Sequence, residues 1–315
     1  MNQLSVAIFG ADGQLGRALE ASAPEHVQVV AYNRAHCDIT DPAQIAACPP
    51  VDLVVNAAAY TQVDQAETDY DRAFAVNATA VQYLAEWARS IHAPLIHIST
   101  DYVFSGEIGG ESAKPRRPWH TDDIPNPQTA YGRTKYAGEQ AIEQVAAQEP
   151  NDEWQAAIVR TAWVWSGPTQ PDSRDFVSTM LQLAQDPQRQ LKVVEDQVGN
   201  PTFVGDLAGA IWELVAAFGK AGVHVDGLGQ PNRRWLEKVK YFHVTGTGRA
   251  SWFEFAQAIF RASGQDPQRV QPCATSEYPT PAVRPAWSVL DPSSWIDAGF
   301  APLPEWEDTL IRVLA

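Results

Sequence analysis

The stretch Ser5-Val-Ala-Ile-Phe-Gly10-Ala-Asp-Gly13-Gln-Leu-Gly16 joins a short apolar run to three glycines and then to a helical pattern. Ser5–Phe9 is predicted to be a strand, and Gln14–Ser22 has the spacing of a helix. Glycines between a strand and a helix let the backbone approach a diphosphate at the helix amino terminus. Because the spacing is G-x-x-G-x-x-G rather than G-x-G-x-x-G, a plain glycine turn stays open as the alternative.

The alternation of strand and helix patterns continues through the first half of the chain. Further strands are predicted at Val27–Tyr32, Val51–Asn56, Pro94–Ser99 and Ala156–Arg160, and helices at Pro42–Cys48, at Asp69–His92 and from Tyr131. Strands that alternate with helices in this way predict an α/β fold with a doubly wound, Rossmann-like parallel sheet.

In the second half the alternation becomes irregular. The patterns predict helices at Phe176–Ala184, Phe203–Phe218 and Ser251–Ala262 and strands at Leu191–Val194 and Tyr241–Val244. We therefore expect residues 1–165 to form a dinucleotide-binding domain, part of which returns between residues 200 and 250. Residues 166–315 are expected to form mainly a smaller, interleaved α/β domain for the substrate.

Composition narrows the function classes. The 315 residues include 38 acidic and 23 basic side chains, a formal net charge of -15, which disfavours nucleic acid and anionic membranes as partners. The amino terminus has neither the pattern of a signal peptide nor that of a membrane span. Cys37, Cys48 and Cys273 form no CxxC motif, which fits reduced, bystander thiols in a cytoplasmic protein.

The end of the second predicted strand bears on the choice of cofactor. An acidic residue at this place binds the ribose 2′-hydroxyl of NAD, whereas an arginine accommodates the phosphate of NADP. Here the residues are Asn33 and Arg34, a neutral amide followed by a guanidinium that suits a phosphate. The sequence therefore favours NADPH, while NADH use and a purely solvated Arg34 stay open.

A phenol and an ammonium share one helical face in Tyr131-Gly-Arg-Thr-Lys135, because residues at i and i+4 are neighbours on a helix. A lysine cation favours the phenolate and would lower the tyrosine pKa, which suits acid catalysis on a ketone. The predicted strand before this helix ends in Ser99-Thr100-Asp101, which brings a hydroxyl to the sheet edge where ligands bind.

In combination these motifs resemble the extended short-chain dehydrogenase/reductase family, in an almost end-to-end match. The resemblance rests on Gly10–Gly16, Asn56–Glu67, Ser99–Gly106, Tyr131–Glu139, Arg160–Trp165, Asp196–Thr202 and Tyr278–Pro285. It implies NADPH-dependent reduction of dTDP-4-dehydro-L-rhamnose to dTDP-L-rhamnose, the last step of dTDP-rhamnose biosynthesis. A reductase or epimerase of another nucleotide sugar is an alternative, and so is a non-catalytic NADP-binding subunit like that of methionine adenosyltransferase.

By the same resemblance, Tyr131 donates a proton to the C4 oxygen of the substrate, Thr100 hydrogen-bonds that oxygen, and Lys135 holds the nicotinamide ribose. The residues implied for cofactor binding, besides Tyr131 and Lys135, are Gly10, Asp12, Gly13, Gln14, Leu15, Gly16, Asn33, Arg34, Asp38, Ile39, Ala59, Tyr60 and Thr61.

The resemblance also implies residues on the substrate side. Thr100, Asp101, Tyr131 and Trp163 would contact the sugar, with core packing as the alternative for Trp163. Arg284 would contact the diphosphate or form a structural ion pair. Asn77 would orient its neighbours or simply be satisfied by local hydrogen bonds.

Several points stay open or depart from the family pattern. No ligand cluster with metal-site spacing is recognised, so we expect no catalytic metal. The oligomeric state is open, a homodimer included. The segments Gly219–Lys240 and Glu107–Pro118, the latter with Lys114, Arg116 and Arg117, are longer than usual for the family.

Overall fold

A computed structural model describes residues 3–106, 117–148, 153–170, 172–218 and 238–315. The two long segments singled out in the sequence, Gly219–Lys240 and Glu107–Pro118, lie outside the described residues apart from 238–240 and 117–118. The strands are β1 (Leu4–Phe9), β2 (Val27–Tyr32), β3 (Leu53–Asn56), β4 (Leu95–Thr100), β5 (Ala156–Thr161), β6 (Val164–Trp165), β7 (Leu191–Val194), β8 (Val198–Gly199), β9 (Thr202–Phe203), β10 (Val239–His243), β11 (Ala250–Ser251) and β12 (Val270–Cys273).

The helices predicted from the sequence lie close to their expected positions, and the described residues add helices that were not predicted at Val63–Ala66, Ser293–Asp297 and Trp306–Leu314. The helices are α1 (Gln14–Ala21), α2 (Pro42–Ala46), α3 (Val63–Ala66), α4 (Tyr70–Phe74), α5 (Ala80–Ser90), α6 (Ala130–Ala147), α7 (Phe176–Ala184), α8 (Val204–Phe218), α9 (Trp252–Ala262), α10 (Ser293–Asp297) and α11 (Trp306–Leu314). The prediction of one regular helix over Asp69–His92 is wrong, because a π-helical turn, Ala75–Thr79, separates α4 from α5.

Six strands form the central sheet, in the order β10-β5-β4-β3-β1-β2. Every neighbouring pair is parallel, with Val6 of β1 opposite Val29 on one side and Leu53 on the other. Strand order reverses between β1 and β3, and ligands bind such sheets at the carboxyl ends of the strands flanking the reversal. The predicted doubly wound parallel sheet is confirmed.

Each face of the sheet is buried against helices. Along β1, Val6 and Ile8 pack into a cluster that contains Leu207 of α8, whereas Ala7 and Phe9 pack into one that contains Leu84 of α5. Neighbouring side chains on a strand point to opposite faces, so an apolar strand needs helices on both sides.

A third cluster lies in the second half of the chain and packs α7, α9 and α11 together. It includes Trp165, Val177, Phe255, Phe260 and Leu310. Small two-stranded sheets accompany it, in which β12 pairs with β7, β11 with β8 and β6 with β9. No helix among the described residues is both long and apolar enough to cross a membrane.

Candidate active site

A cleft of about 810 Å³ opens beside the carboxyl ends of β1, β3 and β4. Every site residue predicted from the sequence lines it except Gly16. Gly16 lies behind the loop, where a Cβ atom would come within 2.6 Å of Ala11 Cα. The predicted residues that the structure brings together are Gly10, Asp12, Gly13, Gln14, Leu15, Asn33, Arg34, Asp38, Ile39, Ala59, Tyr60, Thr61, Thr100, Asp101, Tyr131, Lys135, Trp163 and Arg284.

The glycine loop has the geometry of an anion cradle. Gly10 has a φ of +88°, and a Cβ atom there would lie 2.5 Å from the Ala58 nitrogen, so only glycine fits. Gly13 is the amino-terminal cap of α1 and supplies no side-chain hydrogen bond. The first N–H groups of α1 therefore face the cleft without a side-chain acceptor, which suits a phosphate.

Asn33 and Arg34 follow β2 at one end of the cleft. The Asn33 Oδ1 atom accepts hydrogen bonds from the backbone nitrogens of Ala35 (3.1 Å) and His36 (3.0 Å). The Arg34 side chain is 73% exposed, and its Nε atom lies 3.4 Å from Asp38 Oδ2. An exposed guanidinium held only by such a loose ion pair remains available to a phosphate.

The segment after β3 is held by a buried amide on the π-helical turn. Asn77 Oδ1 accepts from the Tyr60 nitrogen (2.8 Å), and Asn77 Nδ2 donates to Tyr60 O (3.1 Å) and to Thr134 Oγ1 (3.0 Å). Asn77 therefore ties the cleft wall at Tyr60 to the helix that carries Tyr131 and Lys135.

Thr100, Asp101 and Tyr131 form one polar group in the cleft. Thr100 Oγ1 donates to Asp101 Oδ1 at 2.9 Å. Burial raises the pKa of Asp101 to about 6, although hydrogen bonds from Ser288 and Thr100 oppose this. Burial also raises the pKa of Tyr131, against a hydrogen bond to Thr100 that lowers it. Both groups thus favour their protonated forms more than they would in water.

Lys135 is buried one helical turn after Tyr131, yet its amine faces the sheet. Its Nζ atom donates to Ile98 O at 2.6 Å and lies 3.2 Å from His97 Nε2. Burial lowers the pKa of Lys135 to about 8, and the charge of Glu139 opposes the shift. The pKa of Tyr131 is raised overall, because burial outweighs the hydrogen bond to Thr100, and a lowering contribution from Lys135 stays a prediction.

Trp163 lines the cleft from a strained backbone conformation. Its φ is +46°, uncommon for a residue with a side chain. Its ring stacks on Trp252 with centroids 3.5 Å apart, and a Cβ atom on Gly199 would lie 2.5 Å from Trp163 Cε2. The ring is therefore fixed from two sides while it lines the cleft.

Arg284 lines the cleft and also forms an ion pair. Its Nη2 atom lies 2.5 Å from Asp64 Oδ2, and its Nη1 atom lies 3.5 Å from the Tyr102 hydroxyl. The interpretation of Arg284 as part of an ion pair is confirmed, whereas its contact with a diphosphate stays a prediction.

Some cleft residues escaped the sequence analysis. Among them are Arg72, Tyr102, Arg174 and Trp252. Tyr102 could have been predicted, because it lies inside the Ser99–Gly106 block. Its ring packs edge-on against that of Tyr131, with centroids 5.6 Å apart. Trp252 begins α9 and Arg174 precedes α7, so only the folded chain brings them to the cleft.

The cysteines are free thiols. Two of them are nonetheless neighbours, because the Sγ atoms of Cys37 and Cys48 lie 3.9 Å apart. Cys37 also lines the cleft, and its interpretation as a bystander stays a prediction. Within the described part of the chain, no group of three or more His, Cys, Asp or Glu residues could hold a metal ion.

Comparison with known proteins gives a consistent result. The chain matches the family described as RmlD substrate binding domain over residues 4–315. It is 42% identical to a dTDP-4-dehydrorhamnose reductase of Mycolicibacterium smegmatis over 98% of this chain and 85% of that one. It is 39% identical to a probable dTDP-4,6-dihydroxy-2-methyloxan-3-one 4-ketoreductase of Streptomyces antibioticus, over 96% and 92%.

A solved structure is similar along its whole length. It is the crystal structure of dTDP-4-dehydrorhamnose reductase from Bacillus anthracis in complex with NADP. The two chains are 32% identical and superpose with a TM-score of 0.82, over 99% of this chain and 98% of the other.

Proposed function

The chain belongs to the RmlD substrate binding domain family, and we propose that it is an NADPH-dependent reductase that converts dTDP-4-dehydro-L-rhamnose into dTDP-L-rhamnose. The proposal depends on one observation. Thr100, Tyr131 and Lys135 line the same cleft as the glycine loop. One relative named above is described as a dTDP-4-dehydrorhamnose reductase, and another is described as a probable 4-ketoreductase of a different dTDP-linked sugar.

The residues at the cleft floor fit a dinucleotide. The uncapped start of α1 would hold the diphosphate, and Asn33 and Arg34 would face the 2′-phosphate that distinguishes NADPH from NADH. Asp38 and Ile39 would lie beside the adenine, and the segment Ala59–Thr61 beside the rest of the cofactor. NADH remains a second, weaker cofactor in this proposal, because the glycine loop itself does not discriminate between them.

The reaction needs a hydride and a proton. The chemistry that NADPH supplies when bound is a hydride for C4 of the sugar. Tyr131 donates the proton to the developing C4 alkoxide, and the Thr100 hydroxyl beside it contacts the same oxygen. Donors aimed at the oxygen where negative charge develops lower the barrier, because their interaction is strongest in the transition state.

The substrate side completes the assignment. The fixed ring of Trp163 would stack against the sugar, and the buried carboxyl of Asp101 would hydrogen-bond its hydroxyl groups. Arg284, on the rim, would hold the substrate diphosphate, which competes with Asp64 for the guanidinium.

We extend the proposal to organisation and location. Residues 1–165, with a return between 200 and 250, serve the cofactor, and residues 166–315 serve mainly the substrate. The free thiols Cys37, Cys48 and Cys273 support a reducing compartment, the cytoplasm. A homodimer is tested by light scattering of the purified protein.

A second candidate is reduction of another dTDP-linked keto sugar. The 39% identical relative described as a 4-ketoreductase of a different dTDP sugar favours it, because fold and cofactor site alone do not determine the substrate. A purely regulatory NADP-binding role is disfavoured, because Thr100, Tyr131 and Lys135 are all present in the cleft.

The test is NADPH oxidation by the purified protein with dTDP-4-dehydro-L-rhamnose made in situ from dTDP-glucose. We expect rapid oxidation and dTDP-L-rhamnose as the product, identified by mass spectrometry and NMR. Oxidation only with another dTDP-keto sugar would establish the second candidate. Binding of NADPH without turnover of any nucleotide sugar would overturn the proposal.

A further inference from the structure

Behind Lys135, away from the cleft, a fully buried histidine and asparagine extend the polar chain into the sheet. His97 of β4 and Asn56 of β3 are both 0% exposed. His97 Nε2 lies 3.2 Å from Lys135 Nζ, and His97 Nδ1 lies 3.0 Å from Asn56 Nδ2. Neither residue lines the cleft, so neither contacts a ligand there.

The orientation of the Asn56 amide is fixed by the backbone. Asn56 Oδ1 accepts a hydrogen bond from the Ala58 nitrogen at 3.1 Å, so Nδ2 is the atom that faces His97. An amide nitrogen only donates, and His97 Nδ1 must therefore be the acceptor. The imidazole is neutral, because burial and the charge of Lys135 hold the pKa of His97 well below its usual value. Its proton then resides on Nε2, directed at Lys135.

An N–H group needs a lone pair, and an ammonium has none to offer. The neutral amine of Lys135 can accept from His97 Nε2 while it still donates to Ile98 O. The ammonium form instead places a positive charge against the positive end of the N–H dipole. The environment behind Lys135 therefore disfavours the ammonium, which gives up its proton more readily than an ammonium in water.

We propose that His97, with its tautomer set by Asn56, is a positioning residue that stabilises the neutral amine of Lys135 and so prepares Lys135 to return a proton to Tyr131. The inference rests on the reductase function proposed above. After Tyr131 has given its proton to the C4 oxygen, the Lys135 ammonium supplies a proton to the phenolate through water in the cleft, because Lys135 Nζ itself faces Ile98 O and His97. The amine that remains accepts from His97 until solvent protonates it again, so protons balance over the cycle.

The other charges near Lys135 act in the opposite direction or are neutralised. Glu139, one turn further along α6, favours the ammonium, but its carboxylate is already paired with Arg160 of β5 at 2.7 Å. Tyr131 lies one turn earlier on α6, and Asn77, on the π-helical turn packed against this helix, is uncharged. His97, which faces Lys135 from the sheet, therefore determines the balance between the amine and the ammonium of Lys135.

The tautomer is measured directly by NMR of the full-length protein labelled with ¹⁵N-histidine. We expect the His97 ring to carry its proton on Nε2, with an unprotonated Nδ1, from about pH 6 to about pH 9. A proton on Nδ1, or an imidazolium in this range, would overturn the inference. This readout does not depend on turnover, so a wild-type protein that lacks activity would count against the proposed function alone.

The consequence for Lys135 is read from the pH dependence of kcat. Replacing His97→Leu removes the N–H donor, so the limb on which Lys135 loses its proton should move upward by about one pH unit. Asn56→Ser, which leaves Lys135 and His97 in place, should give a smaller shift in the same direction. His243→Leu is the matched control, because His243 is also 0% exposed in the same sheet, whereas its ring nitrogens have no hydrogen-bond partner among the described residues and so do not contact Lys135.

A purely structural role predicts a different pattern. It would lower kcat and stability in His97→Leu at every pH and leave the limb where it is in wild type, and that result would refute the inference. Should His97→Leu fail to fold, Asn56→Ser and the NMR measurement decide.

Discussion

At the scale of single residues, Tyr131 must be protonated before it can act as an acid. Its pKa is raised, chiefly because the phenol is buried, so at neutral pH it carries its proton. Such a phenol gives up the proton only when a strong base forms beside it. The alkoxide created by hydride arrival is that base, which couples proton transfer to reduction and suppresses unproductive ionisation.

Removing the phenolic hydroxyl tests this role. We expect Tyr131→Phe to lower kcat by about 10²- to 10⁴-fold, the usual contribution of a positioned acid, while the Kd for NADPH changes little. Stopped-flow reduction and fluorescence titration measure the two quantities. Tyr136→Phe on the same helix is the control, because Tyr136 packs with Phe104 and Trp119 rather than in the cleft. Comparable loss in both variants would contradict the role assigned to Tyr131.

Arg34 is the residue expected to distinguish NADPH from NADH. Arg34→Ala should raise the Kd for NADPH about 10- to 150-fold, since a charged hydrogen bond contributes about 1.5–3 kcal/mol, and should leave the Kd for NADH unchanged. Titration with both cofactors measures this. Arg17→Ala on the exposed side of α1, outside the cleft, controls for net charge. Equal weakening for both cofactors would show that Arg34 does not contact the 2′-phosphate.

At the scale of elements, helix α6 is fixed to the sheet by a buried ion pair. Glu139 accepts from Arg160 of β5 through two hydrogen bonds of 2.9 and 2.7 Å and from Ser99 of β4 at 2.6 Å. The Arg160 guanidinium also lies over the rings of Phe104 and Tyr241. This network fixes the rotation of α6 and therefore the direction in which Tyr131 and Lys135 point.

Breaking one side of the pair should be costly. Glu139→Gln leaves the Arg160 charge buried without its partner, so we expect the free energy of unfolding to fall by about 3–5 kcal/mol. Chemical denaturation measures it. Glu143→Gln on the exposed side of the same helix also removes one carboxylate, from a hydrogen bond with the Tyr241 hydroxyl, and should cost less than about 1 kcal/mol. Equal losses would mean that the buried pair does not anchor α6.

The elements show how far the sequence could predict the fold. Strands of the central sheet could be predicted because parallel strands buried on both faces are almost continuously apolar, as in β1 and β3. The π-helical turn at Ala75–Thr79 could not be predicted. It adds one residue to a helical turn, and a shift of one residue is too small to stand out in the apolar spacing of a helix. The cause lies in tertiary contacts, the hydrogen bonds of Asn77 to Tyr60 and Thr134.

Some residues of the candidate site could likewise be predicted from the sequence and others could not. Residues next to strand ends, such as those of the glycine loop and Thr100, were predictable because local sequence places them at the sheet edge. Trp252 and Arg174 belong to the second half of the chain, and their arrival at the cleft depends on how α7 and α9 pack. The direction of the Lys135 amine was also unpredictable, because it is set by His97 and Ile98 across the sheet.

At the scale of the whole molecule, the burial of Asp101 in the cleft lowers the stability of the folded protein. Asp101 is 2% exposed, and its Oδ2 atom has no hydrogen-bond partner among the described residues. Its pKa of about 6, against 3.8 in water, means that the folded protein holds this carboxyl proton more tightly than the unfolded chain does. Stability therefore decreases as the pH rises from about 4 through about 6, and the full cost applies above that range.

Asp101→Asn removes this titration, so its effect should depend on pH in a defined direction. A pKa shift of about 2 units corresponds to about 3 kcal/mol, and the free energy of unfolding of the variant should rise by that much relative to wild type between pH 4 and pH 8.

Asp175→Asn should show the opposite dependence of stability on pH. The pKa of Asp175 is lowered, because hydrogen bonds from Ser178, Ser166 and Gly167 outweigh its burial, so wild-type Asp175 stabilises the fold above about pH 4 and loses this effect as the pH falls. Denaturation of the three proteins at both pH values measures the differences. A pH-independent effect of Asp101→Asn would show that burial does not raise the pKa of this carboxyl. A gain in stability together with a loss of kcat would show that Asp101 serves the substrate although it destabilises the fold.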